Sequence, residues 1–311
     1  MTQRVLPGAW RTASRRRVSA ERLREAGAAY LFLLPTIIGL LLFTAGPVLA
    51  SAYVSFTRWD LLSAPRWVGL NNYLALFQDH TFWVCVRNTL YYTVVSVPVG
   101  TVLALLLALV MNRPLRGISI YRAIYFLPVV SSGVAVALMW QWLYQPDFGL
   151  INQVLGWIFP HMPPIRWLAS TVWAMPAIII LSVWQNLGFN MIIFLAGLKG
   201  ISREYYEAAQ IDGADRWAQF RYVTVPQLSP VTFLVVILSM IGSFQVFDYA
   251  YVLTQGGPVD ATRTIVYYLF QNGFQWFNMG YAAAIAYILF IMILVVTAVQ
   301  FLVQRYWVHY E

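Results

Sequence analysis

Four of the chain's twelve acidic residues, Glu204, Glu207, Asp212 and Asp215, fall within twelve consecutive positions of the stretch EYYEAAQIDGADRWAQFRYVTVP at 204–226. Arg203, Arg216 and Arg221 sit among or beside them. Carboxylates this dense raise two chemistries: paired acid and base work, or contact with a water-soluble partner. The other reactive side chains do not converge on them. His80, His161 and His309 are far apart and lack ligand-like spacing. Cys85 is the sole cysteine, which excludes an intrachain disulfide and a thiolate metal cluster. The sole lysine, Lys199, stands in AGLKGIS, without the Gly-x4-Gly-Lys-Ser/Thr pattern that cradles nucleotide phosphates. Neither a Ser/His/Asp set nor a carboxylate pair suggests catalysis. No metal and no catalytic residue is expected, and partner contact remains for the acidic stretch.

The rest of the chain avoids charge. It is 60% hydrophobic, 16% aromatic and only 10% charged, against about 25% charged in an ordinary soluble domain. Mean hydropathy is +0.65. Such a chain cannot solvate a water-facing surface, and its class is an all-α integral membrane protein. A span needs about 20 apolar residues to cross about 30 Å of hydrocarbon. The uncharged runs give six spans, at 30–56, 88–112, 123–146, 170–198, 224–250 and 281–304, with the acidic stretch in a loop at 199–227. Pro35, Pro47, Pro98, Pro128 and Pro176 lie inside or at the edges of these runs, where they kink helices without forbidding them.

With six spans both termini lie on one side. That side carries 15 Lys and Arg and the other carries 5. The positive-inside rule makes the richer side cytoplasmic, including a basic tail at 1–29 and the loop at 199–227. The net charge of +8 is thus a topology signal rather than a nucleic-acid site. The VLASAY stretch at 48–53 has a small-x-small pattern, but the apolar run before it is long for a signal peptide. The first span is expected to be retained as a signal anchor.

The acidic loop has its own local logic. Ser202 can cap a helix whose first turns hold Glu204 and Glu207, near the positive end of the dipole. Gly213 can end that helix in the left-handed conformation. A second stretch from Ala214 places Trp217, Phe220 and Val223/Thr224 on one apolar face, and Pro226 is expected to break it before the next span. A solvated connection would explain the charges. It would not explain the apolar face or the small pair Ala208 and Ala209, which permit close approach of another surface.

EAAQIDGADRWAQFRYVTVP resembles the EAA loop of binding-protein-dependent ABC importer permeases, with Glu207, Ala208, Ala209, Gly213 and Pro226 at the family's spacing. Val223 and Val225 replace the Ile and Leu of that pattern. VGLNNYLALFQDHTFWVCVRNT at 68–89, WLYQPDFGLIN at 142–152 and FDYAYVLTQGGP at 247–258 resemble the sugar-importing, maltose-type branch. The resemblance implies a type I importer permease in a bacterial or archaeal plasma membrane. It implies a second homologous permease, two ATPase subunits, an extracytoplasmic solute-binding protein and a sugar substrate as partners. ATP and magnesium would be bound by the ATPase subunits, and no cofactor by this chain. Glu207, Ala208, Ala209, Asp212, Gly213 and Pro226 would form the ATPase-coupling element.

Polar residues inside spans are costly and often functional. Gln185, Asn186 and Asn190 fall mid-span, the last two four apart on one face. Ser239, Gly242 and Ser243 recur at i, i+3 and i+4, and Val246 continues the stripe. By unchanged spacing from the two motifs, Gln185, Asn186 and Phe189, and Ser239, Gly242, Ser243 and Val246, fall where maltose-type permeases contact sugar. The same stripe of Ser and Gly is also a common helix-packing surface in membranes. Asp248 is open to three readings: a pocket acceptor, a partner for an arginine, or a residue at the water boundary. WQWLY at 140–144 reads as an aromatic belt at the outer interface. The proposed spans carry no cation, which favours a neutral sugar over a polyol phosphate such as a glycerol phosphate. A secondary transporter would need intramembrane relays or internal repeats, and Asp248 alone is a thin relay.

Overall fold

The computed structural model describes residues 20–113 and 116–308. Arg4, Arg11, Arg15, Arg16, Arg17 and His309 lie outside them. Two units divide at Ser51/Ala52. In the first, α1 (Ala20–Leu40) continues through a π turn (Leu41–Ala45) into α2 (Gly46–Ser55). The helix starts ten residues before position 30, so the boundary expected at 29 does not mark a change in structure. Its apolar side chains face outward on every side, with Phe32 and Phe43 both 83% exposed. Hydrocarbon is the solvent in which that surface is stable.

The second unit opens with a short antiparallel pair, β1 (Thr57–Arg58) and β2 (Arg66–Trp67), and α3 (Asn71–Gln78). Then α4 runs for 32 residues, His80–Met111. At 1.5 Å per residue that is about 48 Å, longer than the hydrocarbon core. The span expected at 88–112 therefore begins earlier, because Asp79 caps the helix by accepting the Thr81 N–H at 2.8 Å. Next come α5 (Ile118–Val130), α6 (Gly133–Leu143), α7 (Leu150–Ile158) and α8 (Ala174–Gly200). The loop at 199–227 holds α9 (Arg203–Ile211), α10 (Arg216–Gln219), a π turn (Phe220–Thr224) and α11 (Val225–Gln227). The chain ends with α12 (Ser229–Phe244), α13 (Asp248–Leu253), α14 (Ile265–Phe270), a third π turn (Gln271–Gln275) and α15 (Met279–Gln304).

Among the described residues, four helices are long and apolar enough to span a membrane, and six spans result when two bent pairs each count as one. The bends correct two expectations. The run at 123–146 is not one helix, since α5 and α6 meet at 101°. Pro128 lacks a donor, and Ser131–Ser132–Gly133 favours helix poorly. Ser131 is extended, at φ −77° and ψ 146°. The second correction concerns Pro226, which does not break its helix. The chain passes through it and bends by 62° at Leu228 instead. Pro230 cannot donate to the Pro226 carbonyl, and the Ser229 hydroxyl does so at 2.6 Å. The expected 224–250 span likewise ends at Phe244, and α13 is separate.

Small residues set how closely these helices approach. Gly100, Ala104 and Ala108 make a smooth stripe on α4. Ala104 and Ala108 pack with Met191, Phe194, Leu195 and Leu198 of α8 in one buried cluster. On α8, Gly188 abuts the backbone of α5, where an added Cβ would collide with the Tyr125 carbonyl oxygen. A second cluster joins α4, α6, α8 and α13, and it buries Trp140 and Tyr144. The Tyr144 hydroxyl donates to the Ala177 carbonyl at 2.8 Å. WQWLY is therefore not an interfacial belt as a whole: Trp140 and Tyr144 are core, and Trp142 alone of its three large aromatics is exposed.

Two predictions follow from this packing. Gly188→Ala drives a methyl into rigid backbone, with an expected loss of about 1–3 kcal/mol or more, read as a lower unfolding temperature in detergent. Gly242→Ala, where an added Cβ meets no atom within 4 Å, keeps the wild-type temperature. The second concerns Asp79, whose Oδ2 accepts from Tyr268 at 2.5 Å and Tyr281 at 2.8 Å. Partial burial pushes its carboxyl upward, but those phenols and the Thr81 N–H outweigh it and hold the group below its ordinary value of 3.8. The stabilisation is full above the unfolded pKa and is lost as pH falls through the lowered folded value. Asp79→Asn should thus melt earlier than wild type at pH 6, with the gap narrowing as the pH is taken below 3.8. A gap independent of pH would remove the carboxylate from the account.

Candidate functional site

Two sites emerge, a polar cavity and the acidic loop at 199–227. The cavity, about 340 Å³, lies between α4, α8, α12 and the start of α13. Asn186, Phe189 and Asn190 come from α8, and Ser239, Gly242 and Ser243 from α12, followed by Val246 and Asp248. The i, i+3, i+4 stripe on α12 thus faces a void instead of a packed neighbour. Asn190 Nδ2 donates to Ser239 Oγ at 3.3 Å and ties the two walls together. The Asn186 amide donates to the Ser182 carbonyl at 2.9 Å. The Ser243 hydroxyl is spent on the Met240 carbonyl at 2.8 Å. Asp248 is exposed and is the sole charged residue in the lining among the described residues.

Gln185 departs from this group. It does not line the cavity. Its Oε1 accepts from the Tyr249 hydroxyl at 2.9 Å, and its Nε2 points to the Pro128 and Ser131 carbonyls at 3.3 and 3.4 Å. Those carbonyls lie at the break between α5 and α6, where the Pro128 carbonyl also accepts the Ser131 N–H at 3.3 Å. Sequence reasoning missed the α4 wall, Tyr92, Ser96 and Gly100. Their spacing of four residues per step, with a polar or small residue at each, was the available signal. Tyr92 and Ser182 share a hydrogen bond at 2.5 Å across the α4–α8 contact.

The loop is built from its caps. Ser202 Oγ accepts the Glu204 N–H at 3.3 Å and starts α9. At the other end Gly213 has φ +79°. The Gly213 N–H donates to the Gln210 carbonyl at 3.0 Å and the Ala214 N–H to the Ala209 carbonyl at 2.9 Å. That pair of bonds is a Schellman closure, which needs the left-handed residue that glycine supplies without strain. Asp212 is the exposed residue just before it. Asp215 then caps α10 through the Ala218 N–H at 2.7 Å. The Tyr206 and Thr224 hydroxyls, 3.1 Å apart, join α9 to the returning chain. Glu207 pairs with Arg203 one turn earlier at 2.9 Å, in an exposed setting where such a pair contributes little. Ala208 and the apolar Ile211, Trp217 and Tyr222 are exposed, the last three at 88, 69 and 75%. Trp217 and Phe220 meet as tilted rings on the expected face, whereas Thr224 turns inward and is buried.

Residues 97–308 match the family model for the inner membrane component of binding-protein-dependent transport systems. A probable ABC transporter permease protein of Bacillus subtilis, YesP, is 40% identical over 91% of this chain and 92% of its own. The lactose transport system permease protein LacF of Rhizobium radiobacter is 36% identical over 89% of this chain and 93% of its own. In the crystal structure of a bacterial alginate ABC transporter with an alginate pentasaccharide-bound periplasmic protein, one chain superposes with a TM-score of 0.80. It is 26% identical and covers 93% of this chain and 98% of itself. Six spans, two of them broken, a loop closed at Gly213 and these likenesses lead to one statement: the chain belongs to the inner membrane components of binding-protein-dependent transport systems, the ABC importer permeases.

Proposed function

We infer that this chain is the membrane subunit of an ATP-driven sugar importer, and that saccharide passes through the cavity between α4, α8 and α12. The cavity carries the reading. It offers hydroxyl and amide groups from Ser96, Asn186, Asn190 and Ser239 beside the aromatic Tyr92 and Phe189, the pairing of hydrogen bonds and apolar faces that a sugar requires. No lining residue is cationic, so a phosphorylated polyol would meet no counter-charge there. LacF is named for lactose, and the structural relative was crystallised with an alginate-bound periplasmic protein, which supports a saccharide delivered from outside.

ATP hydrolysis belongs to separate ATPase subunits that bind ATP and magnesium. In this reading α9 docks on one of them, with Glu207, Ala208, Ala209 and Asp212 at the contact. Gly213 fixes the helix angle and Pro226 lies in the return to α12. A second, similar permease completes the pathway. The loop at 199–227 and both termini are cytoplasmic, on the side richer in arginine. The basic segment 1–29 belongs to that side and 30–311 to the permease body.

Reconstitution decides the energy source. Uptake into liposomes is expected only when the ATPase subunits and ATP are present, and uptake by the permease alone would sink the reading. Calorimetry on the partner solute-binding protein identifies the sugar. Within the loop, Gly213→Pro cannot adopt the positive φ of the Schellman turn. It should insert normally yet lose at least about tenfold in transport, equal to about 1.4 kcal/mol of coupling. Wild-type transport by that variant would count against docking through α9. Within the cavity, Asn190→Leu removes the bond to Ser239 and one sugar partner. Transport should fall about tenfold or more while the ATP hydrolysis of the assembled complex persists, as expected for a lost hydrogen bond of about 1.5 kcal/mol.

A further inference from the structure

The break between α5 and α6 is held by a closed ring of contacts. α5 is fixed to α8, where Gly188 abuts the Tyr125 carbonyl. α6 lies against α13, where a Cβ on Gly133 would stand 3.2 Å from Asp248 Oδ2. α8 and α13 are joined by the Tyr249 hydroxyl, which donates to Gln185 Oε1 at 2.9 Å. The same amide presents Nε2 to the Pro128 and Ser131 carbonyls, at 3.3 and 3.4 Å, on the two sides of the residue where α5 ends. Gln185 is buried, and Tyr249 lines the cavity. One planar side chain therefore faces the cavity wall with its acceptor and the broken helix with its donors.

We propose that Gln185 is a positioning residue, which sets the angle between α5 and α6 according to where Tyr249 holds its hydroxyl. A buried amide oxygen left without a donor is costly, so withdrawal of the Tyr249 hydroxyl favours a new orientation of the amide. The amide cannot turn without moving Nε2 away from the Pro128 and Ser131 carbonyls, because its oxygen and nitrogen are fixed in one plane. A polyhydroxylated ligand in the cavity competes for that hydroxyl, and the population of bend angles shifts with it. The consequence for transport rests on the cavity being the sugar passage. The latch itself does not.

The test uses the complete transporter in lipid nanodiscs, with nitroxides on Ile120→Cys and Trp142→Cys. These positions lie either side of the break and are 66 and 50% exposed. Cys85 is fully buried and stays unlabelled. Without sugar, Gln185→Met and Tyr249→Phe should each displace the spin–spin distance by several ångström or broaden its distribution. The double variant should go no further than either single, because both act through one bond. Unchanged distances in both singles, or displacements that add in the double, would overturn the proposal. Should Gln185→Met fail to assemble, Tyr249→Phe decides by the same distance, since it removes one hydroxyl and leaves the ring in place. Asn190→Ala separates the two readings. It lines the cavity and makes no bond to the break. Undiminished uptake, in that variant, of the sugar identified by calorimetry on the solute-binding protein would fail the passage, while the sugar-free distances still judge the latch.

Discussion

A backbone carbonyl inside hydrocarbon must find its donor within the protein, and much of this structure is arranged around that requirement. An unbroken helix meets it by itself. This chain interrupts two of its spans, and at each interruption a polar side chain is directed at carbonyls beside the break. The Ser229 hydroxyl serves Pro226, whose natural donor would have been the nitrogen of Pro230. Gln185 reaches from α8 to Pro128 and Ser131. The same device closes the C-terminal end of α4, where Arg122 donates to the Met111 carbonyl at 2.6 Å. There the guanidinium also meets the negative end of the helix dipole. Polar residues that look extravagant in an apolar sequence are thus assigned to defects in helical order, and the defects are where the spans can bend.

Small residues play two opposite parts. Gly188 lets the backbone of α5 come into direct contact with α8, and Ala104 and Ala108 are wholly buried. Gly242 and Ser239 are as small, yet they face a void, and an added Cβ on Gly242 would touch nothing. Composition alone cannot separate the two uses. What separates them is the residue opposite. The α12 stripe faces Asn186 and Asn190, whose amide nitrogens bond to Ser182 and Ser239, and these polar groups line a cavity instead of an apolar contact.

That distinction marks where the sequence was legible. Charge placed the loop, and Ser202 and Gly213 predicted both ends of α9, because capping is decided by neighbours in the chain. The six apolar runs were visible for the same reason. The break at Ser131 was not, since hydropathy is blind to the direction of a helix axis and Pro128 resembles the tolerated Pro98 within α4. WQWLY misled because aromatic composition is shared by interfaces and cores. Only the fold brings Ala177 to the Tyr144 hydroxyl. Gln185 was singled out as a polar residue in a span, but its partners lie 54 to 64 positions away, beyond any local rule.

The loop and the cavity are ends of the same two helices. Asn190 lies ten residues before the end of α8 at Gly200, and Ser239 lies ten residues after the start of α12 at Ser229. Each is about 15 Å along its helix from the loop. The two helices also pack nearer the loop, where Gly197 abuts Leu228 and Val231, and the hydrogen bond adds a polar tie at the cavity. The connection between the levers is stiff at its turn, where the Schellman closure at Gly213 and the Tyr206–Thr224 contact leave α9 little freedom. It is angled at Leu228, by 62°. In the function proposed above, a partner on α9 would turn α8 or α12, and the Asn190–Ser239 bond lies between the walls that would then shift. Rigid-body coupling of this kind needs no change in the cavity residues themselves. It needs the polar groups in the walls to be paired weakly enough to part. A neutral amide–hydroxyl bond of about 1 kcal/mol meets that condition, whereas a buried ion pair there would lock the two walls together.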